Sequence, residues 1–146
     1  MDIQHVTTDK QLAACAELAA SLYEHETSEA MRTEFESLTS SHCLFLAVTS
    51  SEAAGFIHLS LRHDYVEGTG SSPVLYLEGI YVKEPYRKTG TASALLKAGE
   101  AWGREQSCKE MGSDTVLTNE SGAAFHEKAG FTEVNRIICF AKRLDR

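Results

Sequence analysis

A long strand, a loop and a helix follow one another between residues 74 and 103, and this succession most constrains the fold. The segment VLYLEGIYV, residues 74–82, is rich in β-branched and aromatic residues and predicts a strand with Gly79 inside it. A glycine within a strand indicates a β-bulge or a close approach of another group to the backbone. After Pro85 and Gly90, apolar and small residues recur at helical spacing up to Gly103. A strand that runs into a helix in this way predicts an α/β protein.

Periodicity and turn residues predict the other elements. A strand over 2–6 precedes a helix capped by Thr8 or Asp9, and a shorter helix follows Thr27. The remaining elements are a strand hairpin (43–48 and 55–63), a strand over 110–116, a helix from Asn119 to Ala129 closed by Gly130, and two closing strands over 131–134 and 136–143. The order β-α-α-β-β-β-α-β-α-β-β predicts one domain over residues 1–146, with a mixed central sheet flanked by about four helices.

Composition narrows the class of protein. The chain has 146 residues and a formal net charge of −7. It has no basic run beyond the pairs Arg87-Lys88 and Lys142-Arg143, so we expect no nucleic-acid partner. No apolar stretch approaches the ~20 residues of a membrane span, and the N-terminus does not resemble a signal peptide, so we expect a cytoplasmic protein that binds no membrane. The cysteines and histidines show no metal-ligand spacing, and three of the four cysteines lie in apolar contexts typical of buried thiols.

The loop before the second long helix has the ingredients of an anion-binding site. Gly90 can adopt a positive φ and leaves room for a ligand, and the amides of the first helical turn have no partner within the helix. Arg87 and Lys88 add full positive charges. The loop therefore predicts a phosphate or pyrophosphate site, although a basic turn that merely begins a helix has the same composition.

Two segments in register resemble the GCN5-related N-acetyltransferase (GNAT) family. The pattern R-x-x-G-x-A after a long bulged strand resembles the family's acetyl-CoA motif, and Asn119 followed by AAFHEKAGF (123–131) resembles its second motif. The resemblance implies the GNAT fold with a splayed strand pair and acetyl-CoA as co-substrate, without a metal. His126 stands where the family often has a tyrosine that is proposed to protonate the departing thiolate. The implied cofactor-binding residues are Ile80, Tyr81, Val82, Arg87, Lys88, Thr89, Gly90, Thr91, Ala92, Ser93, Asn119 and His126.

Three further segments resemble one group within this family, the aminoglycoside 6'-N-acetyltransferases. They are RHDYVEGTGSSPV (62–74), LEGIYV (77–82) and SDT (113–115). The resemblance implies acetylation of a cationic amine of the antibiotic, antibiotic resistance and a homodimer. Tyr23 stands where the group has a tryptophan, and Asn135 where it often has a glutamate. The implied substrate-binding residues are Tyr23, Glu26, Tyr65, Glu78, Asp114 and Asn135, of which Glu78 and Asp114 are the catalytic candidates.

Amine chemistry supports a role for these carboxylates. An alkyl ammonium with a pKa of ~10.4 is almost entirely protonated at pH 7, so its deprotonation is a required step. Glu78, on the predicted bulged strand, is the carboxylate best placed to attract the ammonium and relay its proton. Glu78 could instead face solvent or pair with an arginine, Asp114 could simply occupy a turn, and Tyr65 could pack on the sheet.

Two other functions stay open. The first is a housekeeping acetyltransferase for a polyamine, amino sugar or protein amine, and the second is an acetyl-CoA-binding module without turnover. The apolar segment IICFA, residues 137–141, favours strand exchange or edge pairing in a dimer.

Overall fold

The computed structural model of the protein describes residues 1–145 and contains a sheet with helices on both faces. The mixed sheet and the four α-helices were both predicted. The bounds are β1 (Asp2–His5), α1 (Asp9–Leu22), α2 (Ser28–Glu36), β2 (His42–Val48), β3 (Ala53–Arg62), β4 (Val74–Val82), a 3₁₀ turn (Glu84–Tyr86), α3 (Thr91–Glu105), β5 (Met111–Ser113) and α4 (Glu120–Lys128). By packing density the chain consists of two compact units, Met1–Ser113 and Asp114–Arg146.

The sheet belongs to the first unit, and its spatial order β1-β2-β3-β4-β5 follows the chain. The first four strands are antiparallel neighbours, and β5 is parallel to β4 because α3 carries the chain back between them. The parallel pairing ends at Leu77 opposite Ser113, while β4 continues to Val82. Beyond Leu77, where β5 has ended, no strand in the described part of the chain pairs with this edge of β4. The splayed strand pair that the family resemblance implies stays a prediction.

A β-bulge interrupts the ladder between β3 and β4. His58 pairs with Gly79 and the next residue, Leu59, pairs with Leu77, so Glu78 is the extra residue of β4. The bulge predicted from Gly79 is therefore present, and Glu78 occupies it. The Tyr23 side chain also approaches the backbone of Gly79 closely, because a Cβ built on Gly79 would lie 2.3 Å from the Tyr23 hydroxyl.

Two apolar layers bury the faces of the sheet within the first unit. On one face, α1 and α2 cover an apolar cluster that includes Phe35 and Phe56. On the other face α3 packs closely, since a Cβ on Gly99 would lie 2.7 Å from Leu59 and one on Gly103 would lie 2.6 Å from Leu75. Because side chains alternate along β3, the residues 56, 58, 60 and 62 share the face that α1 and α2 cover.

The second unit corrects part of the sequence prediction. The predicted closing strands over 131–134 and 136–143 are wrong for this structure, in which residues 131–145 form no strand. β-propensity alone does not make a strand, because the backbone needs a neighbouring strand for its hydrogen bonds. Ile138 is 81% exposed and Phe140 91% exposed, and Cys139, predicted to be buried, is also exposed. The strand predicted over 110–116 is shorter, Met111–Ser113.

Candidate active site

The bulge of β4 opens onto a pocket of about 310 Å³ in the first unit. Helix α2 and the segment between α1 and α2 form its walls, and β3 and β4 form its floor. Its lining contains three carboxylates, one histidine and one tyrosine, and its other lining residues are apolar. The lining residues are Tyr23, Glu26, Met31, Glu34, Phe35, His58 and Glu78.

Glu78 is held by two side chains of β3. The Ser60 hydroxyl donates to Glu78 Oε2 over 2.6 Å, and Arg62 donates from Nε to Oε2 (3.3 Å) and from Nη2 to Oε1 (3.1 Å) and Oε2 (3.0 Å). Pairing of Glu78 with an arginine, an alternative that the sequence left open, is thus present in the structure. The Glu78 side chain keeps 24% of its surface exposed, so the carboxylate remains accessible from the pocket.

Arg62 is itself fixed by an aromatic ring. Its guanidinium carbon lies 3.4 Å from the centroid of the Tyr76 ring on β4, which is a close cation–π contact. Because the Arg62 side chain is 43% exposed, its ion pair with Glu78 adds little to stability. Its effect is orientation, since several charge-assisted hydrogen bonds define the plane of the carboxylate.

His58 contributes a neutral imidazole to the pocket. Burial and the neighbouring His42 lower the pKa of His58 from 6.5 to about 4, although Glu78 acts in the opposite direction. His42 Nδ1 and His58 Nε2 are 2.9 Å apart and share a hydrogen bond, and the Phe35 ring meets the His58 ring edge-on at 5.6 Å. At neutral pH His58 therefore adds no positive charge that would oppose a cationic ligand.

The pocket is electrostatically suited to a cation. Three carboxylates from three different segments line it, namely Glu26 from the α1–α2 turn, Glu34 from α2 and Glu78 from β4. Arg62 compensates only one of these carboxylates. An amine with several positive charges can therefore contact carboxylates from more than one side.

Tyr23 joins the pocket wall to the bulge. It follows α1 directly, and its hydroxyl lies 3.5 Å from the Glu78 carbonyl oxygen. The absence of a side chain at Gly79 makes this position possible, because any Cβ there would overlap the Tyr23 hydroxyl. Gly79 thus serves the placement of Tyr23 beside Glu78.

The start of α3 differs from that of the other described α-helices. Thr8, Thr27 and Asn119 each cap a helix with a side-chain oxygen, whereas Gly90 caps α3 with φ +87° and no side chain. The first-turn amides of α3 thus receive no capping side chain, and the turn carries no acidic residue. A Cβ on Gly90 would meet nothing within 4 Å. These features fit the pyrophosphate of a bound coenzyme at this helix terminus.

The loop between β4 and α3 is held by several contacts. Arg87 Nε donates to the Val82 carbonyl over 2.8 Å, Thr89 Oγ1 donates to the Tyr86 carbonyl, and Lys88 adopts φ +62°. The Tyr86 hydroxyl donates to Glu52 over 2.8 Å in the β2–β3 hairpin. The loop is thus fixed at both ends, with the first turn of α3 (Thr91, Ala92 and Ser93) directly behind it.

The edge of β4 beyond the end of β5 contains the residues predicted to meet the pantetheine arm. Ile80, Tyr81 and Val82 pair with β3 on one side only, since the pairing with β5 has already ended. An extended ligand chain could add to such an edge through main-chain hydrogen bonds.

The remaining predicted site residues belong to the second unit, except for Tyr65 in the first. In the second unit, Asn119 Oδ1 caps α4 by accepting from Gly122 N over 2.9 Å, and His126 Nδ1 lies 2.6 Å from the Gly122 carbonyl oxygen. Asp114 and Asn135 also belong to this unit. In the first unit, Tyr65 is 75% exposed on the β3–β4 loop and does not line the pocket. The roles of these five residues stay predictions.

Sequence reasoning missed four side chains around Glu78. His58, Ser60 and Arg62 come from β3, and Glu34 comes from α2. The alternation of β3 was the available signal, because polar residues at 58, 60 and 62 must share one face of the sheet. The absence of metal-ligand spacing among the histidines gave no reason to assign His58 to the site.

No described helix is long and apolar enough to cross a membrane. No group of three or more His, Cys, Asp or Glu side chains is arranged to hold a metal ion within residues 1–145.

Comparison with known proteins assigns the family. The model of the acetyltransferase (GNAT) family matches residues 12–131, and the chain belongs to this family. Aminoglycoside N(6')-acetyltransferase type 1 of Salmonella typhimurium is 43% identical over 99 residues, which cover 68% of each chain. The protein of the same name from Serratia marcescens is 35% identical over 136 residues, covering 91% of this chain and 93% of the relative.

A solved structure gives the same result over almost the whole chain. The structure of AAC(6')-Iy in complex with the bisubstrate analogue CoA-S-monomethyl-acetylneamine has a TM-score of 0.91 and 35% identity, and 97% of each chain is covered. The predicted GNAT fold is thereby confirmed.

Proposed function

We propose that this protein is an acetyl-CoA-dependent aminoglycoside 6'-N-acetyltransferase that confers antibiotic resistance. The observation that carries the proposal is the construction of β4. One strand presents Glu78 to a carboxylate-lined pocket, and no described strand pairs with one side of its edge from Ile80 to Val82. The same strand leads through a short loop to the start of α3, where no side chain caps the helix. The amine site and the coenzyme site are thus adjacent on one strand. The curated relatives and the structure with a CoA–neamine conjugate support the same acceptor.

The proposed reaction is direct transfer. The acceptor ammonium binds among Glu26, Glu34 and Glu78 and loses a proton to Glu78, through water. The neutral nitrogen attacks the thioester carbonyl carbon and the C–S bond breaks. The acylated nitrogen then loses its extra proton, and the departing CoA thiolate takes up a proton, so the products are the amide and CoA thiol. Acetyl-CoA supplies the activated acetyl group, and this chain orients the amine and removes its proton. Asp114 is proposed as a further carboxylate for the polycation, and His126 stays a candidate acid for the thiolate.

Turnover with a panel of amines tests the function. Acetyl-CoA consumption is measured with tobramycin, neamine, spermidine, glucosamine and a lysine peptide, and fragmentation of the product locates the acetyl group. We expect tobramycin or neamine to have the highest kcat/KM of the panel and to be acetylated at the 6'-amine. A preference for spermidine, glucosamine or the peptide would favour a housekeeping acetyltransferase, and absence of turnover with every amine would favour a binding module.

Glu78→Gln tests the proton transfer. The substitution retains shape but removes the charge and the basic site, so kcat should fall about 100-fold or more at pH 7. The loss should shrink as pH rises, because more amine arrives already neutral. Glu17→Gln, at an exposed position of α1, is the matched control. A higher KM with unchanged kcat would mean that Glu78 only binds the ammonium.

The assembly and compartment are part of the proposal. Ile137, Ile138 and Phe140 expose large apolar surfaces next to unpaired backbone, which favours a homodimer through this segment. Light scattering should therefore give twice the monomer mass, and Ile138→Lys should reduce it, whereas a wild-type monomer would contradict the dimer. The described cysteines are free thiols, which fits a cytoplasmic protein.

A further inference from the structure

We propose that Ser60 and Arg62 are positioning residues for the acceptor amine, because they hold Oε2 of Glu78 and leave Oε1 to receive the ammonium. This inference rests on the proposed function. Neither residue lines the pocket, so each would act on the acceptor only through Glu78.

The bulge explains why Glu78 needs such support. Glu78 is the unpaired extra residue of β4, between Leu77 and Gly79, each of which has a partner on β3. A bulged residue is not oriented by a regular ladder in the way that its neighbours are. Side-chain contacts from β3 must therefore set the direction of its carboxylate.

Ser60 provides the first of these contacts. It is 3% exposed and, with Thr91, one of two buried polar residues that the described chain contains. Its hydroxyl donates to Oε2 over 2.6 Å, a short bond of the charge-assisted kind. A buried hydroxyl costs free energy unless it is hydrogen-bonded, so Ser60 and Glu78 depend on each other.

Arg62 provides the second contact, and its geometry is uneven. Nε and Nη2 both reach Oε2, at 3.3 and 3.0 Å, while Oε1 receives only Nη2, which it shares with Oε2. The Tyr76 ring under the guanidinium fixes this arrangement. Arg62 is thus a rigid clamp rather than a mobile surface charge.

The two carboxylate oxygens therefore have different remaining capacities. Each oxygen of an ionised carboxylate can accept about two hydrogen bonds. Oε2 already accepts from Ser60 and from two nitrogens of Arg62, whereas Oε1 accepts one shared contact within residues 1–145. The acceptor ammonium, or the water that relays its proton, consequently has room at Oε1.

A double-mutant cycle tests the coupling. Ser60→Ala should lower kcat for tobramycin about 10-fold, because small errors in the placement of a base are costly, with the KM for acetyl-CoA unchanged. Ser60→Thr restores the hydroxyl and should recover most of the activity. Ser21→Ala, which removes an exposed hydroxyl from α1, is the control and should match the wild type. In a Glu78→Ala background, Ser60→Ala should have no further effect.

Arg62→Lys probes the clamp. Lysine keeps the charge but cannot make the two-nitrogen contact or the same stacking on Tyr76. We expect kcat to fall several-fold with little change in the unfolding temperature, and again no effect in the Glu78→Ala background.

Three results would overturn the inference. The first is an equal loss of kcat on Ser60→Ala in the wild-type and Glu78→Ala backgrounds. The second is a loss of thermal stability on Ser60→Ala without a loss of kcat, and the third is failure of Ser60→Thr to recover activity. A wild-type enzyme that acetylates no aminoglycoside would instead refute the proposed function itself. The two failures are distinguishable because the first is measured in an active enzyme.

Discussion

Protonation of His58 should destabilise the fold as the pH falls below about 6.5. The imidazole has a pKa of about 4 in the folded protein, against 6.5 ordinarily, because it is buried beside His42. Between these values the unfolded chain binds a proton that the folded chain rejects, so stability is retained above pH 6.5 and lost toward pH 4. The difference between the two pKa values corresponds to about 3 kcal/mol of the free energy of unfolding, of which roughly 2 kcal/mol is lost by pH 5.

Urea unfolding followed by circular dichroism at pH 5.0, 6.0, 7.0 and 8.0 measures this effect. His58→Gln removes the titrating group, so its free energy of unfolding should depend less steeply on pH than that of the wild type. The pocket carboxylates Glu26, Glu34 and Glu78 are present in both proteins, so the difference between the two curves isolates the effect of His58. His25→Gln, at an exposed histidine, is the matched control and should follow the wild type.

Parallel curves for the wild type and His58→Gln would refute the reasoning. A His58 ring resonance that titrates near pH 6.5 by NMR would refute it independently, since it would mean that neither burial nor His42 disfavours the charged form.

Three other expectations concern the coenzyme and acceptor sites. Gly90→Ala should raise the KM for acetyl-CoA, because a methyl group would obstruct the approach of the pyrophosphate to the start of α3. Gly130→Ala is the matched control, since both glycines have a positive φ, open surroundings and a shared strain of about 1 kcal/mol for alanine, and equal effects of the two substitutions on KM would count against a coenzyme site at α3. Gly79→Ala should displace the Tyr23 hydroxyl and raise the KM for tobramycin several-fold while Gly70→Ala, in open space, does not. The KM for tobramycin should rise as salt increases from about 0.05 to 0.3 M, since screening weakens attraction by the pocket carboxylates, and a salt-independent KM would contradict that attraction.

Local sequence signals determined the elements that carry the coenzyme site. The run of β-branched and aromatic residues over 74–82 predicted the bounds of β4. Gly90 marked the start of α3, and Asn119 and Gly130 marked the two ends of α4. Strand propensity, helix periodicity and helix caps depend on neighbours within a few residues along the chain. The sequence could therefore predict them without a fold.

Tertiary structure decided what surrounds Glu78. Gly79 indicated a bulge, but only the pairing of β3 with β4 assigned the extra residue to Glu78 and brought Ser60 and Arg62, 18 and 16 residues away, against its carboxylate. The same dependence explains the closing strands that the sequence predicted over 131–143 and the structure lacks, because a strand requires a partner that its own residues do not supply. Register and pairing are relations between distant segments, so no local pattern contains them.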